Sequence, residues 1–459
     1  MSERSTIFRI MIVPFDVRRT LIAAVMISCL AVSGCAGLRQ VLGFKEQEAA
    51  AAAKVRISGT IETEGSADGT LVLLVETPAY TVEGEPLLDD DGRPVHRGVD
   101  TYTRASAGTF LFHLSPGRYR LGAYEDRNRN GILNPGERTS GFYARDIIDL
   151  EPGGRAQITV RLIDDEVHEG EPVDLLGLVE RDVREQGRFA LWSFSAMGAI
   201  AGDLSDPRFG AQQGPFGLWR PIDFLNQELA GIYFLEEYDP DRIPVLFVHG
   251  ISGYPEAFST LIDGLDTSRF QPWFYFYPSG IGLAYTSQHL ATLLRKLQIK
   301  HDFDDLAIVA HSLGGLVSRG AILAYVEDTK RDDIGLFISL NSPFGGDARA
   351  VRTERARIAI PQTFRDMNPG SDYMSWLFYQ GEDRKVFKTL PDDTEHHMII
   401  GFKGTGEPYN DGSVTIETQA HFELQEHATT VRVWNQTHVG ILHERRTSDR
   451  VNRLLDSRF

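Results

Sequence analysis

One stretch constrains this chain more than any other. The apolar run Leu306-Ala307-Ile308-Val309 leads into Ala310-His311-Ser312-Leu313-Gly314-Gly315, and a helical pattern, Leu316-Val317-Ser318-Arg319-Gly320-Ala321-Ile322-Leu323, follows at once. An unbroken apolar run of this length reads as a strand covered on both faces. A strand joined to a helix without a linker needs a sharp turn. That turn forces the residue at its tip, Ser312, into a strained backbone and leaves the hydroxyl exposed above the sheet, so only small residues fit two positions to either side. Ala310 and Gly314 are small. Glycine is usual at the first of these places, and Ala310 departs from it by one methyl group. The stretch predicts a nucleophile elbow with Ser312 as nucleophile; a glycine-rich helix cap behind a buried strand is the plainer alternative.

The sequence around the elbow repeats the same alternation. Further apolar runs at 244–248, 272–277, 336–340, 398–401 and 430–434 read as buried strands, with helical patterns at 286–297 and 315–326 among them. Alternating buried strands and helices predict an α/β class with a doubly wound, mostly parallel sheet over 243–459.

Upstream the period changes to two. Runs at 55–61, 71–75, 109–114, 118–124 and 156–162, separated by turn residues, predict a small all-β sandwich over 55–163. The stretch Leu114-Ser115-Pro116-Gly117-Arg118-Tyr119 resembles the strand-turn-strand of transthyretin-like or carboxypeptidase-regulatory-like domains. One loop there, 126–137, places Asp126, Asn128, Asn130, Asn134 and Glu137 at positions 1, 3, 5, 9 and 12, with Gly131 at 6 and Ile132 at 7. This resembles a calcium-binding EF-hand loop, in which position 7 contributes its carbonyl. Its flanks are strands, and Arg127 and Arg129 offset its two carboxylates. Weak calcium binding and a metal-free, asparagine- and glycine-rich hairpin turn are both open readings. Residues 164–242 begin acidic and then carry aromatic anchors, and read as a linker and packing segment. Within it, 218–225 suits core packing better than an acyl-chain pocket.

The start of the chain has a different character. Arg18-Arg19, an apolar run at 21–32 and Val32-Ser33-Gly34-Cys35 form the charged, apolar and small-residue regions of an export signal over 1–34. The apolar part is too short to cross a bilayer comfortably. Val32-Ser33-Gly34-Cys35 resembles the bacterial lipobox, which implies lipidation of Cys35, with palmitate among the acyl chains, and a cell-envelope location. Ala36, where inner-membrane retention uses aspartate, implies the outer membrane. Residues 35–54 read as a tether. The only two cysteines, Cys29 and Cys35, both lie here, so the folded part holds together without disulfides. A net charge of −17 excludes nucleic acid as a partner and leaves membrane attachment to the acyl chains.

Three motifs of the later part occur in a telling order: His249-Gly250-Ile251-Ser252-Gly253, the elbow, and Thr437-His438-Val439-Gly440-Ile441-Leu442. Together they resemble lipases and esterases of the α/β-hydrolase superfamily, closest to bacterial lipases with alanine in the elbow and to the GPI-inositol deacylase-like branch. A serine hydroxyl needs an adjacent base, and the base a carboxylate. The resemblance implies His438 as that base. The superfamily order, serine then acid then histidine, points to Asp411 in Tyr409-Asn410-Asp411-Gly412-Ser413-Val414, ahead of Glu407 and Asp347; an ordinary Asn-Asp-Gly turn also fits the spelling. By the same resemblance the oxyanion hole is the N–H of Leu313 and that of Ile251. His249 and His311 read as structural. Asn341-Ser342-Pro343-Phe344-Gly345-Gly346 stands where related lipases carry Thr-Pro-His-Gly-Gly, with Phe344 as the departure. The long insertion at 347–395 suits a lid, an acyl pocket or a fixed cover.

These readings converge on a membrane-anchored serine hydrolase of carboxylic esters, with lipid esters as the expected substrate class and no required cofactor. Acyl transfer by the same three residues, and an envelope-binding protein on a hydrolase scaffold, are the alternatives. No protein partner is indicated.

Overall fold

A computed structural model describes residues 55–63, 70–78, 96–104, 108–114, 116–128, 132–140, 147–162, 167–174, 196–227, 229–347, 360–381, 383, 385–404 and 409–459. The predicted signal, Cys35, the tether, Asn130 and Glu407 lie outside these residues. No described helix is long and apolar enough to cross a membrane.

The first nine strands are β1 (Val55–Thr63), β2 (Thr70–Pro78), β3 (His96–Arg104), β4 (Gly108–Leu114), β5 (Gly117–Asp126), β6 (Ile132–Leu133), β7 (Ile148–Leu150), β8 (Arg155–Leu162) and β9 (Val173–Asp174). They form a three-stranded sheet in the order β4-β1-β8, a four-stranded sheet in the order β3-β2-β5-β7, and the small pair β6-β9. Alternate residues of β1 (Val55, Ile57, Ile61) and β8 (Val160, Leu162) turn inward, as a period of two requires, and meet Tyr119, Leu121 and Ala123 of β5 in one core. β8 lies parallel to β1, the first strand, and closes that sheet. In the loop read as a cation site, Glu137 Oε1 accepts the Arg127 N–H at 2.8 Å and Oε2 the Asn134 N–H at 2.6 Å. Glu137 thus clamps its own turn. Among the described residues no group of three His, Cys, Asp or Glu side chains is disposed to hold a metal.

The second region is built on one eight-stranded sheet. Its strands are β10 (Ala196–Ile200), β11 (Gly231–Phe234), β12 (Ile243–Val248), β13 (Phe270–Phe276), β14 (Leu306–His311), β15 (Ile334–Leu340), β18 (Glu395–Phe402) and β19 (Thr430–Asn435); the two-residue strands β16 (Tyr379–Gln380) and β17 (Val386–Phe387) pair apart from it. The order is β10-β11-β13-β12-β14-β15-β18-β19, and every neighbouring pair is parallel except β11-β13. The α-helices among the described residues are α1 (Gln213–Trp219), α2 (Pro221–Asn226), α3 (Ser259–Asp263), α4 (Leu283–His301), α5 (Leu313–Thr329), α6 (Gln362–Asp366), α7 (Asp372–Phe378), α8 (Ile416–Gln419), α9 (Phe422–His427) and α10 (Arg445–Arg458). Helices α4, α5 and α7 cover one face of the sheet through Leu290, Leu294, Val317, Ile322 and Leu377. The other face is covered by α2, α3 and α10 through Phe224, Leu261, Val451 and Leu455. The central strands are therefore apolar on both sides, and β14 and β15 are buried at every residue.

The boundary at 243 needs correction. β10 and β11 belong to the sheet, so the α/β unit already includes Ala196–Ile200 and Gly231–Phe234, within the segment read as linker and packing. These strands are five and four residues long, and such short pieces show no period; β11 takes its conformation from the edge of β13, and β10 from the edge of β11. Ile222, Phe224 and Leu225 join the core and Leu218 is buried, in accord with packing rather than an acyl pocket.

Strand order also places the site. From β12 the chain passes to β13 on one side and then returns across the sheet to β14 on the other, so the carboxyl ends of β12 and β14 border the crevice where such sheets bind ligands.

Candidate active site

Ser312 sits at the carboxyl end of β14, with φ 54° and ψ −126°. Its N–H donates to the Leu340 carbonyl at 2.8 Å, which ties the elbow to β15. A β-carbon on Gly250 would lie 2.7 Å from Ser312 Cβ, and one on Gly314 would clash with the carbonyl oxygens of Val248 and His249. Two glycines thus let the loop after β12, and β12 itself, approach the Ser312 turn closely. Gly315 makes equivalent room for Ser342 and Phe344, so Phe344 fills the core beside the start of α5, edge-on to Phe378 and His396.

The structure brings together the three residues expected to act in concert. His438 Nε2 lies 2.9 Å from Ser312 Oγ, and His438 Nδ1 lies 2.6 Å from Asp411 Oδ2. Asp411 follows β18 and is fully buried. Its Oδ1 accepts the N–H groups of Ser413 and Val414 at 2.9 and 2.7 Å, and its Oδ2 also accepts from Gln419 Nε2 at 3.3 Å. The Asn-Asp-Gly turn and the acid are therefore the same structure, because the carboxylate that closes the turn also faces the histidine. The His438 N–H donates to the Asp411 carbonyl at 2.8 Å, a second tie between the two loops. Asp347 follows β15 and pairs its N–H with the Met367 carbonyl.

Several polar residues that sequence reasoning passed over, or read as merely structural, fix the histidine loop. His311 Nε2 donates to the His438 carbonyl at 2.7 Å, and Asn341 Nδ2 donates to the same oxygen at 3.1 Å. Gln419 bridges Gly401, on β18, and Asp411. Asparagine and glutamine so far from the serine in sequence carry no local signal. His249 donates Nδ1–H to the Gly250 carbonyl at 2.9 Å, accepts the Tyr277 N–H on Nε2 and stacks on the Tyr277 ring. Burial pushes the imidazole of His249 down to about 4 and that of His311 down to about 3, the second helped by the neighbouring His438. Both are neutral, structural groups, as expected.

The N–H groups of Ile251 and Leu313 find no acceptor among the described residues. Leu313 opens α5, where the first amides of any helix are unpaired and favour a developing negative charge. The described part of the insertion is packed down: Tyr373 Oη donates to the Leu316 carbonyl at 3.0 Å, and Asp366 Oδ2 accepts the Leu283 N–H at 2.6 Å at the start of α4.

A serine after the third parallel strand of the chain, an acid after the fifth and a histidine after the sixth, on a sheet ordered β13-β12-β14-β15-β18-β19, decide the fold. The chain has the α/β-hydrolase fold. A family model described as "Putative serine esterase (DUF676)" matches residues 280–361, which include Ser312 but neither Asp411 nor His438. The match and the geometry agree on an ester hydrolase. Similar solved structures include the mature lipase BlEst2 of Bacillus licheniformis, 19% identical over 48% of this chain and 94% of that one, with a TM-score of 0.38. The lin2722 product of Listeria innocua is 16% identical over 47% and 94%, with a TM-score of 0.36. Aspergillus fumigatus lipase B is 14% identical over 50% and 57%, also at 0.36. No curated protein matches.

Two outcomes follow from this geometry. Gly314→Ala, which in an ordinary helix would stabilise by about 1 kcal/mol, should instead lower the urea midpoint, because the added methyl meets the ends of β12. A raised midpoint would show the contact to be loose. Acid should also destabilise the fold. His249 and His311 are neutral when folded and take protons on unfolding, so their contribution is complete above pH 6.5 and falls as the pH drops toward 4, by about 1.4 kcal/mol per pH unit for each. Calorimetric Tm values from pH 7.5 to 4.5 test this, and a Tm that holds level or rises contradicts it.

Proposed function

We propose that this protein hydrolyses carboxylic esters, with lipid esters as the substrate class, through a Ser312-His438-Asp411 triad and an acyl-enzyme. The observation that carries the reading is the continuous hydrogen-bonded line from Ser312 Oγ through both nitrogens of His438 to a buried, fully satisfied Asp411. In the first half-reaction Oγ attacks the acyl carbon and its proton passes to His438 Nε2. Negative charge then collects on the carbonyl oxygen, where the N–H groups of Ile251 and Leu313 stabilise it. Collapse expels the alcohol, which takes the proton from His438. Water then repeats the cycle, giving its proton to His438 and its oxygen to the acyl carbon, and the acid leaves as Oγ regains its proton. Asp411 keeps Nδ1 protonated and offsets the imidazolium charge throughout. No step calls on a cofactor.

We further propose that the chain works at the bacterial envelope, anchored by acyl groups on Cys35, with the β-strands of 55–174 between anchor and hydrolase in the sequence. The charged, apolar and lipobox-like pattern ahead of Cys35 supports this.

Hydrolysis of p-nitrophenyl esters of increasing chain length tests the chemistry. Ser312→Ala should lose roughly 10⁴-fold or more in kcat, and Asp411→Asn about 10⁴-fold. Equal rates in wild type and Ser312→Ala would remove the reading. An added alcohol that takes most of the acyl group would shift the assignment to acyl transfer. For the anchor, metabolic labelling with radioactive palmitate should mark the full chain and not Cys35→Ser; label on both, or on neither, rejects lipidation at that cysteine.

A further inference from the structure

The loop that presents the Ile251 N–H is held in an unfavourable shape. The Gly253 N–H donates to the Gly250 carbonyl at 3.0 Å, which closes a four-residue turn. Ser252, third in that turn, has φ 52°. A turn with positive φ at its third residue is of type II character and ordinarily takes glycine or asparagine there, because a β-carbon strains the left-handed region. Such strain persists only where the surroundings over-determine it.

One side chain supplies the hold on this turn. Ser279 Oγ accepts the Ser252 N–H at 2.9 Å. Ser279 is buried, in the turn after β13, and the next residue anchors that turn to α1, with the Gly280 N–H donating to the Gly217 carbonyl at 3.1 Å. From the other side α1 presses on the same turn: a β-carbon on Gly214 would clash with the Ser252 carbonyl oxygen. Rotation of the 251–252 peptide would relieve the strain at Ser252, but it would also break the bond to Ser279. The Ser279 hydroxyl therefore selects between two shapes of a loop whose first residue, Gly250, lies so near Ser312 that a β-carbon there would stand 2.7 Å from Ser312 Cβ.

We infer that Ser279 is a positioning residue for the oxyanion hole: its hydroxyl holds Ser252 in the left-handed turn that sets the Ile251 N–H beside Ser312. The inference rests on the ester-hydrolase reading above and deepens it. Ser279 touches no substrate, and its influence passes wholly through the turn 250–253. An oxyanion donor acts only when it is fixed within hydrogen-bonding distance of the charge that develops, so a relaxed loop costs transition-state stabilisation and little substrate binding.

The test compares the full chain with Ser279→Ala, Ser279→Ala/Ser252→Gly and Ser312→Ala, measuring kcat and KM on one p-nitrophenyl ester and Tm for each. Ser279→Ala should lower kcat about 10- to 100-fold, less than outright loss of an oxyanion donor, with KM within about threefold of wild type. Adding Ser252→Gly should restore most of that kcat, since glycine takes positive φ without strain and no longer needs the hold. A merely structural role would not respond in this way. An unchanged kcat in Ser279→Ala overturns the inference, and so does a loss that Ser252→Gly leaves in place. Wild type no faster than Ser312→Ala removes the ester-hydrolase reading and this inference with it, whereas an active wild type with an indifferent Ser279 removes the inference alone.

Discussion

Ser312 is held at φ 54° and ψ −126°, a conformation that costs an L-residue on the order of 1–3 kcal/mol, and the site exists only while that cost is met elsewhere. What meets it is burial. The sheet is apolar on both faces, β14 and β15 are completely covered, and the elbow joins β14 to a helix buried along most of its length. Gly250, Gly314 and Gly315 take their meaning from the same constraint. Each sits where a methyl group would push the Ser312 turn away from a neighbour, so the tight turn and the close packing around it are one arrangement.

Around Ser312 the structure spends its polar groups on orientation. The carbonyl of His438 is taken by His311 and Asn341 together, and the carboxylate of Asp411 by two turn amides, Gln419 and the His438 ring. Because His249 and His311 are neutral, neither places a positive charge beside His438. The histidine has one neighbouring anion and one hydroxyl in line. Fixed dipoles of this kind need no rearrangement as charge develops, which is the physical advantage of a dry and rigid site.

Much of this was legible in the residues because each legible feature is local. The elbow is a strand, a turn and a helix within eighteen residues. Long apolar runs such as 244–248 and 306–309 can only be covered strands, and the strand predicted at 398–401 lies within Glu395–Phe402. The parts that were not legible are those fixed by contact at a distance. β10 and β11 are short and aperiodic; β11 forms on the edge that β13 offers, and β10 on the edge of β11. Phe344, a departure from the resemblance with no local explanation, fills the room left by Gly315 on another element. Asn341 and Gln419 are unremarkable polar letters until the sheet places β15 and β18 beside the loop after β19. The strain at Ser252 is likewise invisible in the spelling of His-Gly-Ile-Ser-Gly.

The sequence by itself determined the α/β alternation and the serine at the elbow, because backbone sterics and apolar periodicity act within a few residues, while the order of serine, acid and histidine was what the resemblance to α/β-hydrolases implied. Tertiary structure alone decided that Asp411 faces Nδ1 of His438, that Oγ of Ser312 faces Nε2, and that Ser279 props a turn 27 residues before it. The reason is distance: a hydrogen bond forms over about 3 Å, and residues 27 or 126 positions apart reach that separation only when a common sheet brings their loops to one edge.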